Sequence, residues 1–202
     1  MIENKIIDLF PTPLFITNIN TQLNPRYKEY LLNSPKIANM GNTRGEDGYV
    51  LNQPMFGEIK QFIMLNIKEY ISKIYGNVEL DIYITQSWAN YTEPKQFHHK
   101  HSHPNSFISG VFYISAIKGE DMIKFYKERN PAFDIYTTTR NNYNSNDVAI
   151  LVETGDLVLF PSNFTHEVPQ TTSNETRISI AFNTFIRGYI GDEQSSTALY
   201  LH

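Results

Sequence analysis

The chain has 202 residues, 41% of them hydrophobic, and a formal net charge of −4, and it contains no cysteine. This length and composition suffice for a proper core, and we expect residues 1–202 to form one domain. The net negative charge argues against a bare nucleic-acid partner or an anionic membrane surface. The missing thiols exclude disulfides and thiolate ligands, so a bound metal would have nitrogen and oxygen ligands, which favours iron(II), manganese or zinc.

The first part of the chain is predicted to be mainly helical. After two short extended pieces broken by prolines, Pro25 predicts a helix over 25–32, and the Gly-, Asn- and Pro-rich residues 34–53 predict a loop. Apolar residues at spacings of three and four predict a second helix over 56–74, which ends at Gly76. Neither a membrane span nor a signal peptide is evident, so we expect a cytoplasmic protein.

From residue 78 onward, alternation of side-chain character predicts β-strands. The segment 128–146, which is rich in Asn, Thr and Tyr, predicts a long loop or an irregular hairpin. Helices followed by many antiparallel strands indicate an α+β, mainly β protein, in which N-terminal helices buttress a sandwich or barrel. The predicted strands are 78–88, 107–115, 122–126, 148–152, 156–160 and 177–185.

Four of the six histidines lie within the six residues HHKHSH at 98–103. In an extended segment, residues i and i+2 point to the same side, so His101 and His103 would present two imidazoles to one point. Pro104 favours extended backbone at His103. His166, which follows a predicted strand, is the candidate for a third ligand, and such a set leaves coordination positions open for substrate.

The other two histidines of this run, His98 and His99, are neighbours in the chain. We expect their side chains to point apart, with one or both facing solvent or standing behind the ligands. A solvated, pH-sensitive histidine loop without a metal is the alternative interpretation of the whole run.

Three blocks of the sequence stand out: HSHPNSFISGVFYI at 101–114, GDLVLFPS at 155–162 leading to HEVP at 166–169, and RISIAFN at 177–183. In order and spacing, these blocks resemble the iron(II)/2-oxoglutarate-dependent oxygenases of phages and bacteria. The segments LFPTP at 9–13 and WAN at 88–90 are similar as well, so the resemblance covers nearly the whole chain. It implies a double-stranded β-helix (jelly roll) like that of prolyl hydroxylases, with Fe(II) and 2-oxoglutarate as cofactors.

The resemblance also implies a cation that binds the far carboxylate of 2-oxoglutarate. Arg177 fits this role, because it begins a predicted strand after His166 and a guanidinium can donate two parallel hydrogen bonds to a carboxylate. Ser179 shares the face of Arg177 and could donate another hydrogen bond. Tyr113 could close the pocket. The implied metal ligands are His101, His103 and His166.

The chain departs from the usual His-x-Asp or His-x-Glu motif of this family, because His103 stands where the carboxylate is expected. Three neutral imidazoles leave iron(II) with one more net positive charge than two imidazoles and a carboxylate. Two alternatives stay open. A carboxylate from elsewhere could be the third ligand, and Glu167 and Asp156 are near in sequence, or the metal could be lost or different. Because histidine ligands must be neutral, metal binding should weaken below about pH 6.5.

We expect an oxygenase that hydroxylates a C–H bond of a small-molecule or peptidyl substrate. A homodimer is compatible with the predicted sheet edges. One alternative is a cupin-like three-histidine metal protein without 2-oxoglutarate, which would have no use for a buried guanidinium at Arg177. The other is a noncatalytic jelly-roll module for binding or for a virion.

Overall fold

The computed structural model describes residues 5–76, 80–127, 133 and 135–202. Over these residues it contains two α-helices, twelve strands and two short 3₁₀ turns. The elements are β1 (Phe15–Asn18), α1 (Pro25–Asn33), β2 (Lys36–Ala38), β3 (Thr43–Gly45), α2 (Gly57–Tyr75), β4 (Asp81–Thr92), β5 (His98–His101), β6 (Ile108–Ser115), β7 (Met122–Tyr126), β8 (Asp147–Leu151), β9 (Asp156–Pro161), β10 (His166–Val168), β11 (Arg177–Ile190) and β12 (Leu199–Leu201).

The strands form two antiparallel sheets. The larger has the order β1-β9-β6-β11-β4-β3-β2, with β12 also paired to β11, and the smaller has the order β5-β10-β7-β8. One buried cluster combines Ile123 and Phe125 of the smaller sheet with Val158 and Ala181 of the larger, so the two sheets face each other. This is the double-stranded β-helix, and it confirms the predicted α+β, mainly β class.

The outer face of the larger sheet packs against the helices. Along β11, Ile178, Ile180 and Phe182 are fully buried in one cluster with Ile63 and Ile67 of α2. The apolar stripe of α2 therefore seals one side of the sheet, as its three- and four-residue spacing predicts. The intervening residues of β11 point into the space between the two sheets, where the candidate site lies.

The observed elements differ from the predicted ones mainly at the sheet edge. Residues 34–53 were expected to form a loop, but they contain the hairpin β2–β3, and β3 pairs with β4. Strands of three residues are too short to show alternation, so the pattern does not reveal them. The first residues of the predicted strand 78–88, and part of the predicted loop 128–146, lie outside the described residues; residues 135–146 contain no strand.

Two further differences concern the end of the chain. The strand β11 runs to Ile190, beyond the predicted end at residue 185, and it pairs there with β12, which was not predicted. Within the described residues, none of the helices has the length and apolar character needed to cross a membrane.

Candidate metal centre

Three histidines converge at one end of the space between the sheets. His166 on β10 stands directly opposite His101 on β5, and the backbone N–H of His103 donates a hydrogen bond of 2.8 Å to the Ser162 carbonyl. The ring centroids of His101 and His166 are 4.4 Å apart, and His103 lies 5.0 and 5.1 Å from the two. One potential ligand atom from each ring lies within 4.8 Å of the others, which is a spacing that a metal ion can close.

The hydrogen bonds of these rings orient them for metal binding. In each ring, Nδ1 lies within hydrogen-bond distance of an oxygen. For His101 this is the His99 carbonyl, at 2.7 Å, and for His166 it is the Phe164 carbonyl, at 3.0 Å. For His103 it is Asn183 Oδ1, at 2.6 Å. Carbonyl oxygens only accept, so each Nδ1 carries the proton and each Nε2 keeps its lone pair. Metal-bound histidines are held in this way, with the second ring nitrogen donating to a protein acceptor.

One buried nitrogen in this centre has no protein partner. Nε2 of His103 is shielded from solvent and makes no hydrogen bond. An unpaired buried polar atom destabilises a fold by about 1 to 3 kcal/mol, so native structures rarely keep one without a ligand or water. The donor set therefore fits a divalent ion that prefers imidazole, such as iron(II).

Burial keeps these histidines in the neutral form that a metal needs. It is the largest cause of the lowered pKa values, about 4 for His103 and about 2 for His166, and neighbouring histidines contribute to both. The pKa of His101 is lowered mainly by burial as well. The same two causes lower the pKa of His98 to about 3.

Arg177 brings a buried cation into the same space. Its side chain is 4% exposed, and its guanidinium carbon lies 5.0 Å from the centroid of the Tyr113 ring. Nη2 donates to the Tyr113 hydroxyl and Nη1 to the Met122 carbonyl, both at 3.3 Å, while the buried Nε has no partner. No carboxylate pairs with Arg177 among the described residues. A buried charge without a counter-ion is unfavourable, so this position is suited to an anionic ligand.

A narrow cavity of about 30 Å³ lies between the histidines and Arg177. It is lined also by Trp88, Ser179 and Asn90, whose buried Oδ1 has no partner. This volume holds a water molecule or two, so any larger ligand requires lining side chains to move. Trp88 is half-buried and stacks on His103, with their ring centroids 5.9 Å apart.

The remaining residues singled out from sequence differ in their position relative to this cavity. Ser179 lines it, whereas Tyr113 is fully buried behind Arg177 and supports the guanidinium instead of closing the pocket. Glu167 lines the cavity and accepts a hydrogen bond from Tyr126. Asp156 is hydrogen-bonded to Asn18 at the start of β9. Among the described residues, the groups that could hold a metal consist of histidines alone.

His98 and His99 do not point apart as expected. Their ring centroids are 5.1 Å from each other, and both residues are half-buried. The cause is an irregular register: His101 pairs with His166 but His98 pairs with Val168, so β5 has an extra residue there. Such a bulge re-aims side chains and is common beside functional sites.

Two asparagines that support the histidines were not given a role from sequence. Asn183 accepts from His103, and Asn39 donates to Nε2 of His98 at 3.3 Å. Asn183 shares the alternating face of Arg177 and Ser179, and this alternation was the available signal. Asn39 lies in the hairpin region that the sequence did not reveal.

Residues 86–183 match the protein family described as "Putative 2OG-Fe(II) oxygenase". This segment contains the three histidines, Arg177, Ser179, Tyr113 and Asn183. No curated protein matches the chain.

Solved structures of low sequence identity share the fold. HygX from Streptomyces hygroscopicus, solved with nickel, 2-oxoglutarate and hygromycin B bound, has 10% identity and a TM-score of 0.60, covering 86% of this chain and 82% of HygX. A prolyl-4-hydroxylase from Pseudomonas putida has 14% identity and a TM-score of 0.55, covering 88% and 94%. An oxidoreductase of the 2OG-Fe(II) oxygenase family from Burkholderia pseudomallei has 12% identity and a TM-score of 0.53, covering 79% and 76%.

The family match and the fold agree with the geometry of the site. The matched segment supplies a cluster of imidazoles with their lone pairs directed inward and a buried guanidinium across a cavity. Residues 86–183 are thus similar in sequence to the 2OG-Fe(II) oxygenase family, and the described residues share the double-stranded β-helix with solved structures of such oxygenases.

Proposed function

We propose that this protein uses Fe(II) and 2-oxoglutarate to hydroxylate a C–H bond of its substrate, and that residues 1–202 act as one domain. One observation carries the proposal: neutral histidines with free lone pairs face one cavity together with a buried guanidinium that has no counter-ion among the described residues. The first feature is suited to a divalent metal and the second to a carboxylate. The cosubstrate 2-oxoglutarate joins the two, because its keto acid end chelates a metal and its other end is a carboxylate.

His101, His103 and His166 would hold the iron through Nε2. Bound iron(II) would supply dioxygen activation, with 2-oxoglutarate, dioxygen and the C–H bond converted to succinate, carbon dioxide and an alcohol. The three rings are neutral, so the centre keeps both positive charges of the ion, and this favours anionic ligands over water. His166 is buried, and His101 and His103 are partly buried, which limits the access of water and strengthens such interactions.

Arg177 would bind the far carboxylate of 2-oxoglutarate. Its Nε has no protein partner, and its bonds to Tyr113 and Met122 are long, at 3.3 Å, so its donors are available for a charged acceptor. Ser179 and Asn90 lie on the same wall of the cavity and would contribute further polar contacts. Tyr113 would keep the guanidinium in place from behind.

The division of roles can be tested by anaerobic calorimetry with two variants. His166→Ala should weaken Fe(II) binding at least about 100-fold, because it removes one of three ligands. Arg177→Ala should leave Fe(II) binding unchanged and weaken 2-oxoglutarate binding at least about 30-fold, since removing one partner of a buried charge pair costs 2 kcal/mol or more. Arg187→Ala is the matched control, because Arg187 is exposed on the same strand. Equal loss of both ligands in Arg177→Ala contradicts this assignment.

A three-histidine metal protein that does not use 2-oxoglutarate is the competing function, and the absence of a carboxylate from the clusters found among the described residues favours it. Succinate formation separates the two. The proposed oxygenase releases succinate only when Fe(II), 2-oxoglutarate and dioxygen are all present, and Arg177→Ala reduces that release. A protein that binds the metal tightly but neither binds 2-oxoglutarate nor forms succinate belongs to the competing class.

A further inference from the structure

A second cavity adjoins the metal centre and is large enough for a small molecule. It has a volume of about 440 Å³ and shares Trp88, His98, His101 and His103 with the first cavity, but it does not reach Arg177. Binding sites for small molecules commonly have volumes of about 300 to 1,000 Å³. We call this cavity the outer groove.

Among the described residues that line the outer groove, Arg44 is the one arginine or lysine. It stands on β3 directly opposite Asn90 of β4, and Asn90 is in turn opposite Ser179 of β11. Directly paired residues of antiparallel strands point to the same face of a sheet, so Arg44 and Arg177 lie on the same face. From the strand spacing and the rise per residue, their Cα atoms are about 12 Å apart.

The guanidinium of Arg44 is only weakly engaged by the protein. The residue is half-buried, and its hydrogen bond to the adjacent Gly45 carbonyl is 3.2 Å long. It forms no ion pair within the described part of the chain. Asp47, which is close in sequence, accepts instead from the Tyr49 N–H and from Gln53. A partly desolvated cation facing a groove without acidic lining residues is suited to an anion.

We propose that the outer groove binds a small anionic substrate and that Arg44 holds its carboxylate or phosphate group. The C–H bond to be hydroxylated would then be presented to the side of the groove formed by His101 and His103. This inference rests on the proposed function for the reaction. The preference for an anion rests on the groove alone.

Equilibrium binding tests the proposal without turnover. The protein is loaded with Zn(II) and saturating 2-oxoglutarate, so that Arg177 is occupied, and matched ligand pairs are titrated by saturation-transfer NMR. One arm compares N-acetylamino acids with their amides, and the other compares phosphate monoesters with the parent alcohols. In at least one arm the anionic member should bind at least ten times more tightly, and the arm that shows this identifies the anionic group.

The same titrations are repeated with Arg44→Gln, Arg44→Lys and the exposed-site control Arg187→Gln. Arg44→Gln should lose the ten-fold preference, Arg44→Lys should retain part of it, and Arg187→Gln should retain all of it. Equal binding of neutral and anionic members, no binding of any anion to the wild type, or an unchanged preference in Arg44→Gln overturns the proposal.

A failure of the proposed oxygenase function gives a different result. If calorimetry shows no 2-oxoglutarate binding to the wild type, the anion titrations are performed with Zn(II) alone in an Arg177→Ala background. A preference for anions that still depends on Arg44 supports the groove assignment by itself. Loss of that dependence overturns the assignment.

Discussion

Successive side chains of β11 enter two environments that differ in what they stabilise. On the outer face, Ile178, Ile180 and Phe182 are fully buried against the helices in an apolar cluster. On the inner face, Arg177 and Asn183 carry polar groups into the space between the sheets, where Arg177 Nε has no protein partner. One strand therefore contributes apolar packing through one set of residues and ligand-binding groups through the other.

The outer-face residues of β11 therefore contribute mainly to stability, whereas its inner-face residues contribute mainly to ligand binding. The outer-face side chains Ile178, Ile180 and Phe182 are fully buried against other apolar residues, so they are not accessible to a ligand. The inner face is incompletely satisfied by the protein alone, and the missing partners are those that a metal ion and an anion supply. Substitutions on the two faces should therefore change different measured quantities.

The largest effect on stability is expected from Phe182→Ala on the outer face. The ring of Phe182 packs over Gly110, where an added Cβ would lie 2.3 Å from its Cζ, and the residue is 0% exposed. Truncation should lower the free energy of unfolding by about 3 to 5 kcal/mol. Urea denaturation measures this loss. Ser179→Ala on the inner face is the matched control and should change the free energy of unfolding by less than about 1 kcal/mol. Similar losses in both variants would contradict the division between faces.

The next largest effect is expected from acidification of the metal-free protein. In the folded state, burial lowers the pKa of His98 to about 3, of His103 to about 4 and of His166 to about 2. Below the ordinary histidine pKa of about 6.5, the unfolded chain therefore binds protons that the folded chain does not. The free energy of unfolding falls as the pH decreases from that value towards the folded pKa values, by at most about 1.4 kcal/mol per histidine at pH 5.5.

Urea denaturation at pH 7.0 and 5.5, in the presence of a chelator, measures this dependence. His166→Asn removes one of the titrating rings and should reduce the pH-dependent loss by up to about 1.4 kcal/mol. Phe182→Ala changes an outer-face residue and should lower the stability at both pH values without changing the difference between them. An equal pH dependence in the wild type and His166→Asn would show that His166 is not held neutral.

The smallest effect is expected from Asn183→Ala, which leaves all three ligands in place. Asn183 fixes the orientation of the His103 ring through the 2.6 Å contact to Nδ1. Loss of such a partner weakens metal binding by about 10- to 100-fold, and we expect the lower end because Trp88 also stacks on the His103 ring. Calorimetry with Co(II) measures the change. Asn183→Asp, which keeps an acceptor oxygen, should restore most of the affinity, and a wild-type affinity in Asn183→Ala would contradict the orienting role.

Local patterns in the sequence predicted the parts of the fold that repeat over several residues. The three- and four-residue spacing predicted α2, and the alternation in residues 177–183 predicted which side chains of β11 share a face. That the face of Arg177 points inward depended on the resemblance to a family. The i, i+2 spacing predicted that His101 and His103 would lie on one side, and their centroids are 5.0 Å apart. The double-stranded β-helix and the assignment of His166 as the third ligand depended on the resemblance to a family as well.

Features that depend on distant contacts or on short irregular segments could not be predicted in this way. The pairing of Asn183 with His103 joins residues 80 positions apart, and neither residue has a local pattern that selects the other. The extra residue in β5 brings the side chains of His98 and His99 close together, whereas regular alternation predicts that they point apart. The hairpin that positions Arg44 is made of two three-residue strands, which leave no periodic signal.

The hydrogen bonds of the three rings that we propose as metal ligands have a consequence for how this centre can change in evolution. The acceptors for His101 and His166 are main-chain carbonyls, which no point substitution removes, whereas the acceptor for His103 is the side chain of Asn183. Of the three rings, His103 is therefore the one whose hydrogen-bond acceptor a point substitution can change. A lineage or a designer could exchange the three-nitrogen centre for a mixed nitrogen and oxygen one by altering positions 103 and 183 together.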